Sequence, residues 1–222
     1  MKAFFLLTKI ILYSVFIFLT VGCSSDNELN IQDTTYQNYR LVDTLTYDSL
    51  AYSYNTIYVG YKDMYMDSNV DINLMLQRVE ELVIQNNIFD SHISIDQNNI
   101  LSILNATYSE TPHAEELLSN KAYHLFLAFT EDILLKQNEN ISNQLIEFQN
   151  IIRTSSFPND NDLRILLRFC SVLKSHFENG GDDDDWADNG TTIMKAAFFG
   201  SEFSVNDALV ATIVVRLIQE DY

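Results

Sequence analysis

Residues 160–178 read DNDLRILLRFCSVLKSHFE and carry the clearest helical pattern in the chain. Apolar side chains recur at steps of three and four, as on one face of an α-helix. The predicted apolar face consists of Leu163, Leu166, Leu167, Cys170 and Phe177, and the polar face consists of Arg164, Arg168, Ser171 and Ser175. Gly180-Gly181 is predicted to end this helix, because glycine readily adopts the left-handed cap conformation.

Four segments before this helix carry the same spacing of apolar residues. Their expected buried faces are Ile72, Met75, Leu76, Val79, Leu82 and Val83 in residues 68–87; Ile100, Leu101 and Leu104 after a cap at Asp96; Leu118, Ala122, Leu125, Phe129 and Ile133 in one long helix that begins at Thr111-Pro112; and Ile141, Leu145, Phe148 and Ile152 in residues 141–152. Threonine followed by proline is a typical helix start, since the first turn needs no N–H from proline.

The C-terminal part of the chain predicts two more helices. A short one covers residues 193–199 and is expected to end at Gly200. Ser204-Val205-Asn206-Asp207 resembles an N-terminal cap for the second. Residues 208–218 of the second helix are apolar nearly all round, which is typical of a central, buried helix.

Residues 47–65 are rich in tyrosine, and two structures fit their pattern. A helix, which we favour, would align one aromatic stripe made of Tyr54, Tyr58, Tyr61 and Tyr65. Alternating aromatic and β-branched residues at positions 52–58 also fit a strand. Together with Trp186, the stripe is a candidate surface for binding a glycan or peptide, because an aromatic ring offers a flat face and a polar tip. The alternative is that the rings pack in the core.

These patterns predict an all-α fold, as an irregular multi-helix bundle or stacked helical hairpins with the tyrosine-rich segment on its N-terminal side. Only six glycines and two prolines occur in 222 residues, too few for the many tight turns of a β-sandwich or barrel. A domain of about 200 residues buries roughly 70% of its unfolded surface, so no metal or disulfide is needed for stability.

The N-terminal segment has the features of an export signal. Lys2 and Lys9 precede an apolar run that ends in Gly22, directly before Cys23, which is typical of a secretory leader. A retained membrane helix is the alternative, since a bilayer-spanning helix needs about 20 residues. The segment resembles the lipobox of bacterial lipoproteins, with Thr20 where leucine is usual. The resemblance implies that the leader is removed and that Cys23 carries a lipid.

A polar segment follows the cysteine. Ser24-Ser25-Asp26-Asn27-Glu28 is similar to the export tag of surface lipoproteins of Bacteroidota-type bacteria, which implies the outer face of the outer membrane; a periplasm-facing protein is the alternative. Three tripeptides are similar to the O-glycosylation site of that group and would be modified at Thr34, Thr44 and Ser49. The expected organisation is a signal peptide over residues 1–22, an acidic polar tether over 23–43 and one helical domain over 44–222.

The charge of the chain limits its partners. Outside the two lysines of the leader it has 11 basic and 31 acidic side chains, which gives a formal charge of −20. Such a surface repels nucleic acid and anionic lipid, so we expect no nucleic-acid partner and a link to the membrane through the lipid anchor alone. A basic enzyme or toxin fits the charge, which makes an inhibitor or immunity-type lipoprotein one functional alternative.

A loop at residues 180–190 is the one candidate metal site. Its possible ligands are Asp182, Asp183, Asp184, Asp185 and Asp188. Calcium binds six to eight oxygen ligands and is the ion that such a loop would suit. The spacing differs from that of an EF-hand loop, because Ala187 and Ala196 occupy ligand positions when Asp185 is counted as the first. A solvated acidic loop is the alternative, since adjacent carboxylates repel each other.

The remaining sequence indicates no catalytic motif or other cofactor. His113 and Glu116 lie one helical turn apart, but no second pair completes a zinc site. Cys170 lies on an apolar helix face and is expected to pack as a small hydrophobic residue. We therefore expect a non-catalytic, lipid-anchored binding or assembly module for a protein, peptide or glycan. A calcium-binding protein or metal-dependent hydrolase that uses the acidic loop is the alternative.

Overall fold

A computed structural model describes residues 50–65, 71–86, 92–106, 113–135, 141–179 and 190–221. All of them belong to one compact unit, Tyr47–Tyr222. Within these ranges the chain forms nine helices and no strand, so the predicted all-α, multi-helix fold is confirmed. None of these described helices combines the length and the apolar character needed to cross a membrane.

The helices are numbered here in chain order. The first, α1, covers residues 50–64. The others are α2 (Ile72–Gln85), α3 (Gln97–Asn105), α4 (Ala114–Leu117), α5 (Asn120–Leu135), α6 (Ile141–Thr154), α7 (Asp160–Glu178), α8 (Thr191–Phe203) and α9 (Val205–Asp221). The buried faces predicted for α2 and α6 are confirmed, except that Ile72 is only partly buried.

Helix α9 lies at the centre of the described fold, as its composition predicts. Its fully buried apolar side chains are Ala208, Leu209, Val210, Ala211, Ile213, Val214 and Val215. Helices α8, α2, α7 and α3 pack around it, so apolar residues on every side of α9 find a neighbour. The predicted cap is also present, because the Asp207 backbone N–H donates to Ser204 Oγ at 3.0 Å.

Phenylalanine rings join four helices through one core. Phe126 of α5 packs on Phe198 of α8, with ring centroids 4.3 Å apart, and edge-on against Phe169 of α7 at 5.3 Å. Phe129 of α5 stacks on Phe148 of α6 with centroids 3.9 Å apart. Such ring pairs add stability beyond the apolar area that they bury.

Residues 50–64 form a helix, so the helical prediction for the tyrosine-rich segment is confirmed and the strand alternative is wrong. The helix turns Tyr54, Tyr58 and Tyr61 inward, with 0%, 7% and 3% of their surface exposed. Leu50 and Ile57 are fully buried as well. A strand would turn successive residues to opposite faces, whereas the steps of four and three put these side chains on one side of α1.

The single long helix predicted from residue 111 onward is wrong, because the described chain has two helices there, α4 and α5. The backbone at Leu118 is extended, with φ −97° and ψ 145°. The Ser119 N–H donates to Asp162 Oδ1 of α7 at 3.1 Å. A tertiary hydrogen bond therefore takes the place of a helical one at the break. The proposed start at residues 111–112 lies outside the described residues.

Two other predicted faces differ from the observed ones. On α3, Leu101 is exposed and Ile103 is buried beside Ile100, because the side of α3 that packs on α8 and α9 is the buried one. The predicted cap at Asp96 is confirmed. On α5, Ala122, Phe129 and Ile133 of the predicted face are buried, whereas Leu125 is only partly so.

Helix α7 is buried on more than its predicted face. Phe169, Leu173 and Ser175 are fully buried, because α6, α8 and α9 all pack against this helix. Ser175 was expected on the polar side, and its buried hydroxyl donates to the Ser171 carbonyl at 2.8 Å. The helix therefore satisfies this hydroxyl itself. Its C-cap is Asn179, and the predicted Gly180-Gly181 end lies outside the described residues.

Helix α8 continues past Gly200, so the predicted end at that glycine is wrong. The helix ends at Phe203, and Ser204 is its C-cap residue. A Cβ added at Gly200 would lie 2.4 Å from the Cα of Ala208 on α9. Glycine at position 200 allows the two helices to approach each other closely, and it does not form a left-handed cap.

Candidate functional site

Six polar or aromatic side chains from three helices contact one another beside α1. They come from α1 (Tyr54, Tyr58 and Lys62), α7 (His176) and α9 (Arg216 and Glu220), and we call them the α1 clasp. Steps of four residues place the α1 members on one helix face and the two α9 members beside each other. The clasp links α1 to parts of the chain that are more than 100 residues away.

Tyr54 and His176 form the buried half of the clasp. The Tyr54 hydroxyl lies 2.8 Å from His176 Nδ1, and the two rings meet edge-on with centroids 5.8 Å apart. Burial raises the pKa of Tyr54. Burial, followed by the positive charge of Arg216, lowers the pKa of His176 to about 3. Both side chains are therefore neutral at physiological pH.

The Glu220 carboxylate is the centre of the more exposed half. It accepts hydrogen bonds from the Tyr58 hydroxyl at 2.7 and 2.6 Å, from Lys62 Nζ at 3.0 Å and from Arg216 Nε at 2.8 Å. Hydrogen bonds to a charged group are stronger than those between neutral groups. Three side chains from two helices thus converge on one carboxylate.

Arg216 and Asn179 extend the clasp to the end of α7. The Arg216 guanidinium lies over the Tyr58 ring, 3.9 Å from its centroid, which is a cation–π contact. Arg216 Nη1 also donates to the Asn179 carbonyl at 3.4 Å. The Asn179 side-chain amide donates to the Ala51 carbonyl of α1 at 3.0 Å. The C-cap residue of α7 is therefore tied to both α1 and α9.

Burial and hydrogen bonding set the charges of the exposed half. Burial, and then the hydrogen bond to Glu220, raise the pKa of Tyr58. Hydrogen bonds with Tyr58 and Glu220 raise the pKa of Lys62. Burial alone would raise the pKa of Glu220, but hydrogen bonds from its three donors outweigh burial and the net shift is downward. At neutral pH the clasp thus contains one carboxylate and two cations.

The geometry of the α1 clasp suits non-covalent contacts that hold helices together better than it suits acid–base catalysis. A general base works best when its pKa lies near the working pH, whereas His176 gains its proton only near pH 3. Tyr54 keeps its proton because burial disfavours the phenolate. The carboxylate of Glu220 is engaged by its own neighbours. The polar groups of the clasp are therefore directed at each other.

The predicted tyrosine stripe lies mainly in the core. Tyr54, Tyr58 and Tyr61 are buried, and Tyr65 is partly buried. The Arg78 guanidinium covers the Tyr65 ring at 4.4 Å from its centroid. This placement agrees with the alternative in which the rings pack, and the role of the stripe in partner binding stays a prediction.

The other predicted site residues lie outside the described residues. They are the lipidation site Cys23, the O-glycosylation sites Thr34, Thr44 and Ser49, the loop aspartates Asp182, Asp183, Asp184, Asp185 and Asp188, and the loop residue Trp186. Their roles, and calcium binding by the loop, stay predictions. In the part of the chain that the structure describes, no group of three or more His, Cys, Asp or Glu side chains is placed to hold a metal ion.

Two residues considered for chemistry have ordinary surroundings. His113, the N-cap residue of α4, has its Nδ1 3.3 Å from Glu116 Oε2, and both side chains are exposed. Cys170 is buried on α7, which agrees with its predicted packing role.

Few features of the sequence predict the α1 clasp. Arg216 and Glu220 have the four-residue spacing of a helical ion pair, and Tyr54 and Tyr58 have the same spacing on α1. Tyr54 and His176 are 122 residues apart. Only the tertiary packing of α1, α7 and α9 brings that pair together, so periodicity along the chain does not reveal it.

Comparison with known proteins adds no relative: no family model, no curated protein and no solved structure matches the chain. The function is therefore argued from the residues of this chain.

Proposed function

We propose that the protein is a lipid-anchored cell-envelope protein whose helical domain acts as a non-catalytic binding or assembly module. The observation that carries the proposal is the N-terminal segment, in which an apolar run ends at Gly22-Cys23 and a serine-rich acidic stretch follows. Acyl chains on Cys23 would hold the protein to a membrane, since each buried methylene contributes ~0.8 kcal/mol. The serine-rich acidic stretch supports display at the cell surface.

In the described domain, the polar groups of the α1 clasp contact one another. The clasp contains a neutral histidine, His176, and the Glu220 carboxylate, which accepts hydrogen bonds from its neighbours. These groups stabilise the packing of three helices, and their charge states do not suit proton transfer. With its acidic surface, the domain would recognise a protein, peptide or glycan and would repel nucleic acid.

Metabolic labelling with a radioactive fatty acid tests the anchor. We expect label in the full chain and loss of label with Cys23→Ser, which should also move the protein from the membrane fraction to the aqueous fraction. Cys170→Ala is the matched control, because it removes the other cysteine and should leave label and fractionation unchanged. Label retained by Cys23→Ser would refute the anchor.

Cross-linking in intact cells, followed by purification at low and high salt, tests the binding role. A partner retained at high salt indicates an interface with apolar contacts, because salt at about 1 M screens charges that are more than about 3 Å apart. A basic enzyme or toxin that is released at high salt would favour the inhibitor or immunity alternative. A protein that purifies without any partner or bound glycan would count against the binding module.

The acidic loop favours a second candidate function, calcium binding. Thermal unfolding of the full chain, with millimolar calcium and then with a chelator, separates the two candidates. A strong site in the native state raises the unfolding temperature, because ligand binding stabilises by RT ln(1 + [L]/Kd). Asp183→Asn combined with Asp185→Asn should abolish that rise. An unchanged unfolding temperature in calcium would exclude a strong calcium site. The remaining candidate would then be a binding module that needs no metal.

A further inference from the structure

His176 lies in the seam between α1, α7 and α9. From α1 the Tyr54 hydroxyl reaches its Nδ1 at 2.8 Å. From α9 the charges of Arg216 and Glu220 act on it, with opposite effects. On α7 itself the ring of Phe177 packs edge-on at 5.1 Å. The neighbours of the His176 side chain are therefore the neutral Tyr54 hydroxyl, the Arg216 cation, the Glu220 anion and the Phe177 ring.

This position tolerates a neutral imidazole and opposes a charged one. His176 is only 6% exposed, so an imidazolium would lose most of its hydration. The cation of Arg216 would repel it. Glu220 would attract it, but that carboxylate already accepts hydrogen bonds from Tyr58, Lys62 and Arg216. Native packing and protonation of this histidine are thus in competition.

We propose that His176 makes the docking of α1 acid-sensitive, so that protonation of its imidazole favours a form in which α1 has moved away from α7 and α9. This inference concerns the domain alone and does not depend on the lipid anchor. It assigns to the buried imidazole of His176 a conformational role in addition to its structural one.

Two features identify α1 as the element that moves. Its outer side faces solvent, with Tyr52 75% and Met64 63% exposed, so only its inner side resists separation. Its inner side holds the partner of the histidine, Tyr54. The buried Leu50 and Ile57 keep α1 docked at neutral pH. Acid therefore acts by raising the frequency of opening, as in the local openings that hydrogen exchange detects.

The size of the effect follows from proton linkage. In the open form a solvated histidine has the ordinary pKa of about 6.5, whereas the docked form does not take up the proton until near pH 3. Lowering the pH from 7.5 to 4.5 should therefore increase the opening constant of α1 by about 100-fold. Glu220 adds a factor of about two over the same range, because its carboxylate begins to titrate in the open form near pH 4.5.

Native-state hydrogen exchange on the full chain in detergent tests the proposal, with rates corrected for the pH dependence of intrinsic exchange. Amides of α1 should show the ~100-fold rise in opening between pH 7.5 and 4.5, and at both pH values their opening constants should be distinctly larger than those of amides in the central α9. An α1 rise below about threefold would overturn the proposal. Equal opening constants in α1 and α9 would overturn it as well, because the domain would then open only as a whole.

Substitutions identify the responsible group. His176→Asn keeps a polar group near Nδ1 and removes the titration, so the rise should fall to a few-fold. His124→Asn is the matched control, since His124 is exposed on α5, and it should keep the full rise. If His176→Asn fails to fold, Tyr54→Phe serves instead: it should open more often at both pH values and keep the ~100-fold rise. Loss of the rise in Tyr54→Phe would contradict a histidine-based mechanism.

Discussion

Gly200 of α8 lies so close to Ala208 of α9 that a Cβ at position 200 would come within 2.4 Å of both the Cα and the backbone nitrogen of Ala208. Backbone atoms cannot rotate away as a side chain can, so the helices themselves would have to separate. Helix α9 is the central helix of the described fold, and α8 is one of its neighbours. The absence of a side chain at Gly200 is therefore a requirement of the core.

Gly200→Ala should destabilise the protein. Overpacking of a tight contact costs about 1–3 kcal/mol, and this cost outweighs the gain of about 1 kcal/mol from replacing a helical glycine. Urea unfolding of the full chain, monitored by circular dichroism, measures the difference. A variant as stable as the parent would mean that α8 and α9 are less closely packed than the structure indicates.

Gly60→Ala is the matched control for that substitution. Gly60 also lies within a helix, but the nearest atom to an added Cβ is Leu82 Cδ2 at 3.9 Å, an ordinary contact. We expect this variant to gain about 0.5–1 kcal/mol, because alanine loses less backbone entropy than glycine in a helix. A loss of stability in Gly60→Ala would show that helix α1 does not tolerate a side chain there.

Asp96→Ala should destabilise the protein through the start of α3. The Asp96 carboxylate accepts from the Asn99 backbone N–H at 2.9 Å, and the Asn99 side chain accepts from the Asp96 backbone N–H at 2.9 Å. Loss of such a cap costs about 0.5–2 kcal/mol. Asp71 precedes α2 without a side-chain cap hydrogen bond, so Asp71→Ala should cost less than half as much in the same unfolding assay. Equal losses would contradict the capping role of Asp96.

Glu220→Gln should weaken the clasp in a pH-dependent manner. The folded protein lowers the pKa of Glu220, so the carboxylate stabilises the fold above its unfolded pKa of about 4.5 and loses this effect as the pH falls through the lowered folded value. At pH 7 the variant should lose about 1 kcal/mol, a modest figure because solvent reaches about one-third of the side chain and screens the charges. Unfolding at pH 7 and pH 3 measures the change.

Glu81→Gln is the control for the Glu220 prediction. Glu81 is exposed on α2 and accepts from Gln77 of the same helix at 3.1 Å, so its replacement should change stability little at either pH. A loss for Glu220→Gln that is equally large at pH 3 would show that the carboxylate charge is not what stabilises the clasp.

The spacing of apolar and aromatic residues along the chain predicted which segments are helical and which of their faces are buried. The apolar run at residues 208–218 predicted a central helix, and the steps between Tyr54, Tyr58 and Tyr61 predicted that α1 is helical. Both follow from which residues share a helix face. The buried positions of these faces follow from the same rule.

Features that depend on tertiary contacts could not be predicted in this way. The break between α4 and α5 coincides with the hydrogen bond from Ser119 to Asp162 of another helix. Gly200 was expected at a helix end, and its real role depends on the approach of Ala208. The clasp requires His176 to meet Tyr54 from a distant part of the chain. A pattern along the chain contains no information on which helices become neighbours.

Mass spectrometry of the N-terminal peptide of the protein purified from membranes tests directly whether Cys23 carries a lipid. We predict a chain that begins at Cys23, with a diacylglyceryl group on its sulfur and without residues 1–22. A peptide that still contains the leader, or one that carries Cys23 with a free thiol, would contradict the account.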